Sequence, residues 1–263
     1  MKEILMCPPK YFEVTYEINP WMHKSSRVDR AKAMEQWNTL KRTIEACGAE
    51  VVTIEPIEGL PDMVFTANAA LLRKKKVWLS CFKYPQRQGE RKYFEEWFKN
   101  NGYEVSGDDT TFEGAGDALY AGNKLFAAHG FRSDKKVYEK IKAFFNDPTI
   151  DYHILHLIDP RFYHIDTTFC PLNSEIGIFN PLAYDEASRK EFESSMKLLV
   201  VPKDETCHFA CNAVVIDNNI IMAEGTEKTT KIVEENGFKV HHVNMSEFLK
   251  SGGSCKCLTL ALN

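Results

Sequence analysis

Nowhere in the 263-residue chain does an apolar run approach the ~20 residues that span a bilayer. Positive charge is not in surplus either: 33 Lys and Arg face 37 Asp and Glu, for a formal net charge of −4. The basic footprint of a nucleic-acid binder is therefore missing, and the lysines at 74–76 read as a solvated turn. No segment is of low complexity, and no linker separates two compositions. The opening Met1-Lys2-Glu3, followed by Pro8-Pro9, does not fit a signal peptide. The expectation is a cytoplasmic protein with neither membrane nor nucleic acid as partner. With 44% hydrophobic and 27% charged residues, the chain has the composition of a globular protein able to bury a core. In a reducing compartment its eight Cys are thiols rather than a disulfide framework. Most read as packing residues, with room for one nucleophile.

What the chain does have is a repeat. Amphipathic helical periods run near 27–47, 89–101, 134–146, 185–196 and 226–236. A short apolar segment follows each, at 49–55, 102–106, 153–158, 197–201 and 238–243. Four of the helices are preceded by two strand-like runs joined by a turn: 69–73 with 77–82, 118–121 with 124–128, 167–172 with 175–179, and 213–217 with 220–223. Gly122-Asn123, Asn173-Ser174 and Asn218-Asn219 are residues that tight hairpins require. The unit is strand, strand, helix, strand. A fifth copy is split, with 257–262 supplying its first strand and 2–7 its second, which predicts a closed ring.

Asn68, Asp117, Asp166, Asn212 and Cys257 start the five first strands, about 45–50 residues apart. In a ring of such units these positions converge on one axis. Two carboxylates flanking one spot match a planar guanidinium. A Cys thiolate can attack carbon, and a nearby His can carry protons to a leaving group. Thiol, imidazole and paired acids together point to attack on a guanidinium carbon.

The clusters around these positions resemble those of the guanidine-modifying superfamily: arginine deiminases, dimethylarginine dimethylaminohydrolases and arginine-glycine amidinotransferases. The carriers are Ile18-Asn19-Pro20-Trp21-Met22, the stretch 61–69, Phe112-Glu113-Gly114-Ala115-Gly116-Asp117, Arg161-Phe162-Tyr163-His164-Ile165-Asp166 and the stretch 252–258. They look most like the arginine dihydrolase domain of cyanobacterial enzymes, where a second domain follows it. The resemblance covers nearly the whole chain. It implies an α/β fold, a five-bladed propeller of ββαβ repeats with pseudo-five-fold symmetry, in a single domain over 1–263.

By the same resemblance, Cys257 is the nucleophile and His164 the general acid/base. Asp117 and Asp166 grip the guanidinium, and Glu113 either orients His164 or binds substrate. Other branches carry a Glu near the segment of Arg132 that is not evident here, so the partner of His164 stays open. Asn68 lies beside the guanidino group, Arg87 and Arg132 hold the substrate carboxylate, and Asn19 is a further contact. The implied substrate is L-arginine or a related guanidino compound, with no metal and no organic cofactor; a homo-oligomer is left open. Arginine dihydrolase is the leading reading, ahead of arginine deiminase, dimethylarginine hydrolase and amidinotransferase. A non-enzymatic guanidino-metabolite sensor would have no need of the full Cys–His–Asp set.

Plainer readings exist for several residues. Cys255, two residues from Cys257, is expected on the same strand face as a packing residue. Cys207-His208-x-x-Cys211 with Cys255-x-Cys257 has poor spacing for structural zinc. His241-His242 reads as a surface feature, and Asn212 as a hydrogen-bonder at a strand start.

Overall fold

Each hydrophobic period of the sequence becomes one strand or one helix face. The structure, a computed structural model, describes residues 2–262. In chain order it contains β1 (Glu3–Met6), α1 (Arg30–Ala46), β2 (Glu50–Thr53), β3 (Ala70–Arg73), β4 (Lys76–Leu79), α2 (Pro85–Gln88), α3 (Arg91–Asn100) and β5 (Glu104–Ser106). There follow β6 (Ala118–Ala121), β7 (Lys124–His129), α4 (Val137–Phe145), β8 (Asp151–His156), β9 (Phe169–Pro171), β10 (Ile176–Phe179), α5 (Glu186–Ser195) and β11 (Lys197–Val200). The last elements are β12 (Val214–Ile216), β13 (Asn219–Ala223), α6 (Glu227–Glu235), β14 (Lys239–Val243), α7 (Ser246–Leu249) and β15 (Leu260–Ala261).

The strands form five sheets of three. In four of them a hairpin pairs two strands antiparallel, and the strand after the helix returns parallel to the hairpin's second member: β3–β4–β5, β6–β7–β8, β9–β10–β11 and β12–β13–β14. The fifth sheet, β15–β1–β2, draws on both ends of the chain. Ile4 pairs with Ala261 antiparallel, and β1 runs parallel to β2. This clasp closes the five-bladed α/β propeller.

The helices follow their periodicity. In α1, Asp29 accepts from the Lys32 amide as N-cap, and Ala33, Trp37, Leu40 and Ile44 form the buried stripe. Core packing is distributed between blades. Phe126, Phe169, Phe179 and Phe192, for example, belong to one cluster joining the second and third sheets.

Two expectations shift. The hairpin between β12 and β13 turns at Asp217-Asn218, not 218–219, because Asn219 already pairs with Ile216. More important, the strand expected over 257–262 starts only at Leu260. Residues 255–258 form a turn, with the Thr259 amide donating to the Lys256 carbonyl at 3.0 Å. Cys255 and Cys257 therefore do not share a strand face.

A tight turn precedes each first strand: 3-10 turns at Thr66–Ala69, Gly114–Gly116 and Ile165–Thr167, and irregular turns before β12 and β15. Asn68, Asp117, Asp166, Asn212 and Cys257 lie in or at the end of these turns, all buried.

Candidate active site

The turns interlock around the ring centre. The Ala67 amide donates to the Cys257 carbonyl at 3.1 Å. Asn212 Oδ1 accepts from the amides of Lys256 (3.0 Å) and Cys257 (3.2 Å), which holds the turn that presents the thiol. Asn212 Nδ2 donates to the Asp166 carbonyl at 3.0 Å and lies 3.1 Å from Cys257 Sγ. The thiol itself donates to Asp166 Oδ2 at 3.4 Å. Asn212 is thus a direct neighbour of the thiol as well as a strand-start hydrogen-bonder. Its repeat position was the signal for this.

His164 enters from the turn before β9. Its Nε2 lies 2.8 Å from Glu113 Oε2, which also accepts from Arg132 Nη1 at 2.8 Å. Burial opposes the charge on Glu113, yet the Arg132 guanidinium and the His164 hydrogen bond hold its carboxyl well below the usual range. Since Glu113 is ionised and only accepts, the His164 Nε2 carries the proton. Nδ1 is left as the nitrogen able to exchange protons. A Cβ on Gly116 would lie 2.2 Å from Asn68 Nδ2 and 3.4 Å from His164 Nδ1, so only glycine lets these two side chains approach at this place.

Asp117 and Asp166 are fully buried, and each keeps one carboxylate oxygen without a hydrogen-bond partner. Asp117 Oδ2 accepts from Ser133 Oγ at 2.6 Å. Burial pushes the pKa of Asp117 up to about 7, and that of Asp166 up as well. Burial, followed by the Asp166 carboxylate, pushes the Cys257 thiol well above its ordinary value. Two carboxyls of raised pKa, each with an unused acceptor, beside a thiol of raised pKa form a site that a bound cation would ionise.

Arg87 sits on α2 and is buried. Its Nε and Nη2 form a two-pronged pair with Glu90 at 2.8 and 2.9 Å, Nη1 donates to Asn68 Oδ1 at 2.8 Å, and Nη2 also reaches the Asp62 carbonyl. Arg132 Nη2 donates to the Ile18 carbonyl at 2.9 Å, and its guanidinium lies 4.4 Å from the Tyr163 ring centroid. Both guanidiniums expected to hold a substrate carboxylate are thus already paired, with Glu90 and Glu113. Asn68 Nδ2 donates to the Glu113 carbonyl at 3.4 Å. Asn19 donates to the Ser251 carbonyl at 3.0 Å, and its Oδ1 accepts from the Trp21 and Met22 amides.

Asn19, Asn68, Arg87, Arg132, His164 and Cys257 line one cavity, together with Asp62 and Tyr163. Glu113, Asp117 and Asp166 are not part of its lining. The cavity is about 20 Å³, about one water molecule. Sequence reasoning had not singled out Asp62, which accepts from Tyr16 Oη at 2.9 Å, nor Tyr163, which donates to the Gly252 carbonyl at 2.9 Å. Both lay inside motifs already noted, at positions where an aromatic or an acid reads equally well as packing.

Cys255 is fully buried, takes a bond only from Ser254 Oγ at 3.8 Å, and does not line the cavity. Burial pushes its thiol up to about 12. Among the described residues no group of three or more His, Cys, Asp or Glu side chains could hold a metal ion. No helix among them is long and apolar enough to cross a membrane.

The sequence matches the family described as N,N dimethylarginine dimethylhydrolase, eukaryotic, over residues 8–263. It is 44% identical to the bifunctional arginine dihydrolase/ornithine cyclodeaminase ArgZ of Synechocystis, aligning 98% of this chain but only 37% of ArgZ. It is 35% identical to the N(G),N(G)-dimethylarginine dimethylaminohydrolase of Mycobacterium tuberculosis, covering 98% of this chain and 85% of that protein. An uncharacterised Caenorhabditis elegans protein is 43% identical over all of this chain and 94% of its own length. Among solved structures, the N-terminal domain of an ArgZ C264S mutant bound to substrate superposes with a TM-score of 0.95 at 41% identity, covering 100% of this chain and 98% of that one. The chain belongs to the dimethylarginine dimethylhydrolase family within the guanidine-modifying superfamily, and is a hydrolase of guanidino groups.

Proposed function

We propose that this chain is an arginine dihydrolase, converting L-arginine and two waters to ornithine, two ammonia and carbon dioxide. The observation that carries the reading is the 44% identity over 98% of the chain to ArgZ, whose arginine dihydrolase domain it matches end to end. The chain spans about a third of ArgZ itself, and the proposal concerns the guanidino chemistry alone. We take residues 1–263 as one catalytic domain working in the cytoplasm; Met1 and Asn263 lie outside the described residues.

The residues can be given parts in this chemistry. The unused oxygens of Asp117 and Asp166, which do not line the cavity as it stands, receive the guanidinium once the cavity widens. The guanidinium's positive charge lowers the pKa of Cys257, and the thiol proton passes to His164 Nδ1. The thiolate adds to the guanidinium carbon, and His164, held through Nε2 by Glu113, delivers a proton through Nδ1 to departing ammonia. The amidino-thioether that remains is attacked by water, His164 now accepting the proton. Collapse restores the thiolate and gives citrulline. A second round on the retained ureido group expels the second ammonia, and the resulting carbamate yields carbon dioxide and ornithine. A cavity of about 20 Å³ is far below the ~300 Å³ of an ordinary ligand pocket. Arginine therefore requires this cavity to widen.

The family match and the mycobacterial relative favour a second reading, in which the substrate is dimethylarginine and the products are citrulline and dimethylamine. Incubation with each substrate separates the two. Ornithine with two ammonia per arginine supports the proposal. Citrulline as the sole product of arginine reduces it to a deiminase. Dimethylamine released from dimethylarginine, with arginine untouched, replaces it.

A further inference from the structure

On the other side of the ring of turns lies a second, larger cavity of about 440 Å³ that shares no lining residue with the reaction pocket. All five first strands, β3, β6, β9, β12 and β15, contribute to its wall, so it is the central channel of the propeller. Leu71, Leu119, Phe169, Leu172, Val214 and Leu260 make the wall apolar.

Its charge is sorted. The lining includes Lys2, Arg73, Lys74 and Lys256, and not one Asp or Glu, in a chain where acids outnumber bases. Arg73 and Lys74 sit where the β3–β4 hairpin turns, at the mouth, and both pair with Asp147, at 2.9 and 3.3 Å. Lys2 pairs with Asp217 at 3.3 Å. Lys256 differs. It precedes Cys257 in the turn that closes the inner end of the channel. Among the described residues it has no ion pair, and its Nζ donates only to the Thr259 carbonyl at 3.1 Å. An ammonium has three donors; the Asp166 carboxylate attracts this one through space without an ion pair, and two of its donors stay unpaired among the described residues. A channel with greasy walls and a cationic floor is complementary to an apolar body ending in one negative charge.

We propose that the central channel is a binding site for a small organic anion with an apolar body, its carboxylate resting on Lys256 and its tail between the first strands. The ligand enters from the hairpin end, opposite the reaction pocket, so it does not compete with substrate for one space.

The test is calorimetric titration of the full chain with octanoate, octylammonium and octanol. Octanoate should bind one per chain, with octylammonium and octanol each at least tenfold weaker. Lys256→Met should weaken octanoate at least tenfold, and Lys256→Arg should restore most of the affinity. In a Cys257→Ser chain saturated with L-arginine, octanoate should still bind one per chain. Equal affinity for the three probes, no saturable octanoate binding in the millimolar range, undiminished binding to a folded Lys256→Met chain, or competitive displacement by arginine would each overturn the proposal. The three-probe comparison needs only the unaltered protein, and so decides the matter even where Lys256→Met does not fold. The outcome does not depend on which guanidino compound is turned over.

Discussion

Replacing Asp117 with asparagine sets stability against activity, and the structure says by how much. The Asp117 carboxyl is 1% exposed. Burial, opposed by His164 and the Ser133 bond, raises its pKa from 3.8 to about 7. A shift of about 3 units at about 1.36 kcal/mol each corresponds to about 4 kcal/mol. The sign follows from linkage. A raised carboxyl keeps its proton in the folded state after the unfolded chain has lost it, so folding stability falls as pH climbs from about 4 to about 7, then levels. Asparagine carries no charge, and its side-chain oxygen can still accept from Ser133 Oγ. The Asp117→Asn chain should therefore be more stable than the parent at pH 8, by up to about 4 kcal/mol, and by less than about 1 kcal/mol at pH 4.5. Urea denaturation followed by circular dichroism at both pH values measures this. Turnover of arginine at pH 8 should drop at least about 100-fold if, as proposed, this charge is offered to the guanidinium. An Asp117→Asn chain no more stable than the parent at pH 8, or equally stabilised at both pH values, would falsify the picture of a carboxylate held at a cost for substrate.

Three further outcomes follow from the same geometry. Cys257→Ser should abolish turnover with an unchanged circular dichroism spectrum, whereas Cys255→Ser should retain most activity; the opposite pattern would move the nucleophile. Glu113→Gln leaves Arg132 buried without its carboxylate, which should cost about 3–5 kcal/mol in urea denaturation, and should also lower kcat; a stability change under about 1 kcal/mol would mean the pair is not integral. Asn68→Asp replaces the amide that donates to the Glu113 carbonyl with an acceptor, and should alter the ornithine-to-citrulline ratio more than total arginine consumption; identical product ratios in mutant and parent would remove Asn68 from that role.

The local sequence by itself determined the blades. Strand and helix periods, with turn-forming Asn and Gly between them, are short-range properties, and the split fifth unit followed from counting copies. The apolar stripe Ala33, Trp37, Leu40 and Ile44 needs no partner to be recognised as a helix face. The spacing of Asn68, Asp117, Asp166, Asn212 and Cys257 also announced a common axis. Only the tertiary structure decided what these groups do to each other. Glu113 meets Arg132 and His164 across 19 and 51 residues of chain, and Asn212 meets Cys257 across 45. Nothing in the local sequence tells a buried ion pair from a solvated charge. The same holds for the last turn. An apolar stretch after two glycines reads as a strand, but the Asn212 side chain takes the amides of Lys256 and Cys257 and turns the chain there. That turn sends Cys257 to the small cavity and Lys256 to the larger channel, a division between adjacent residues that only long-range hydrogen bonding could make.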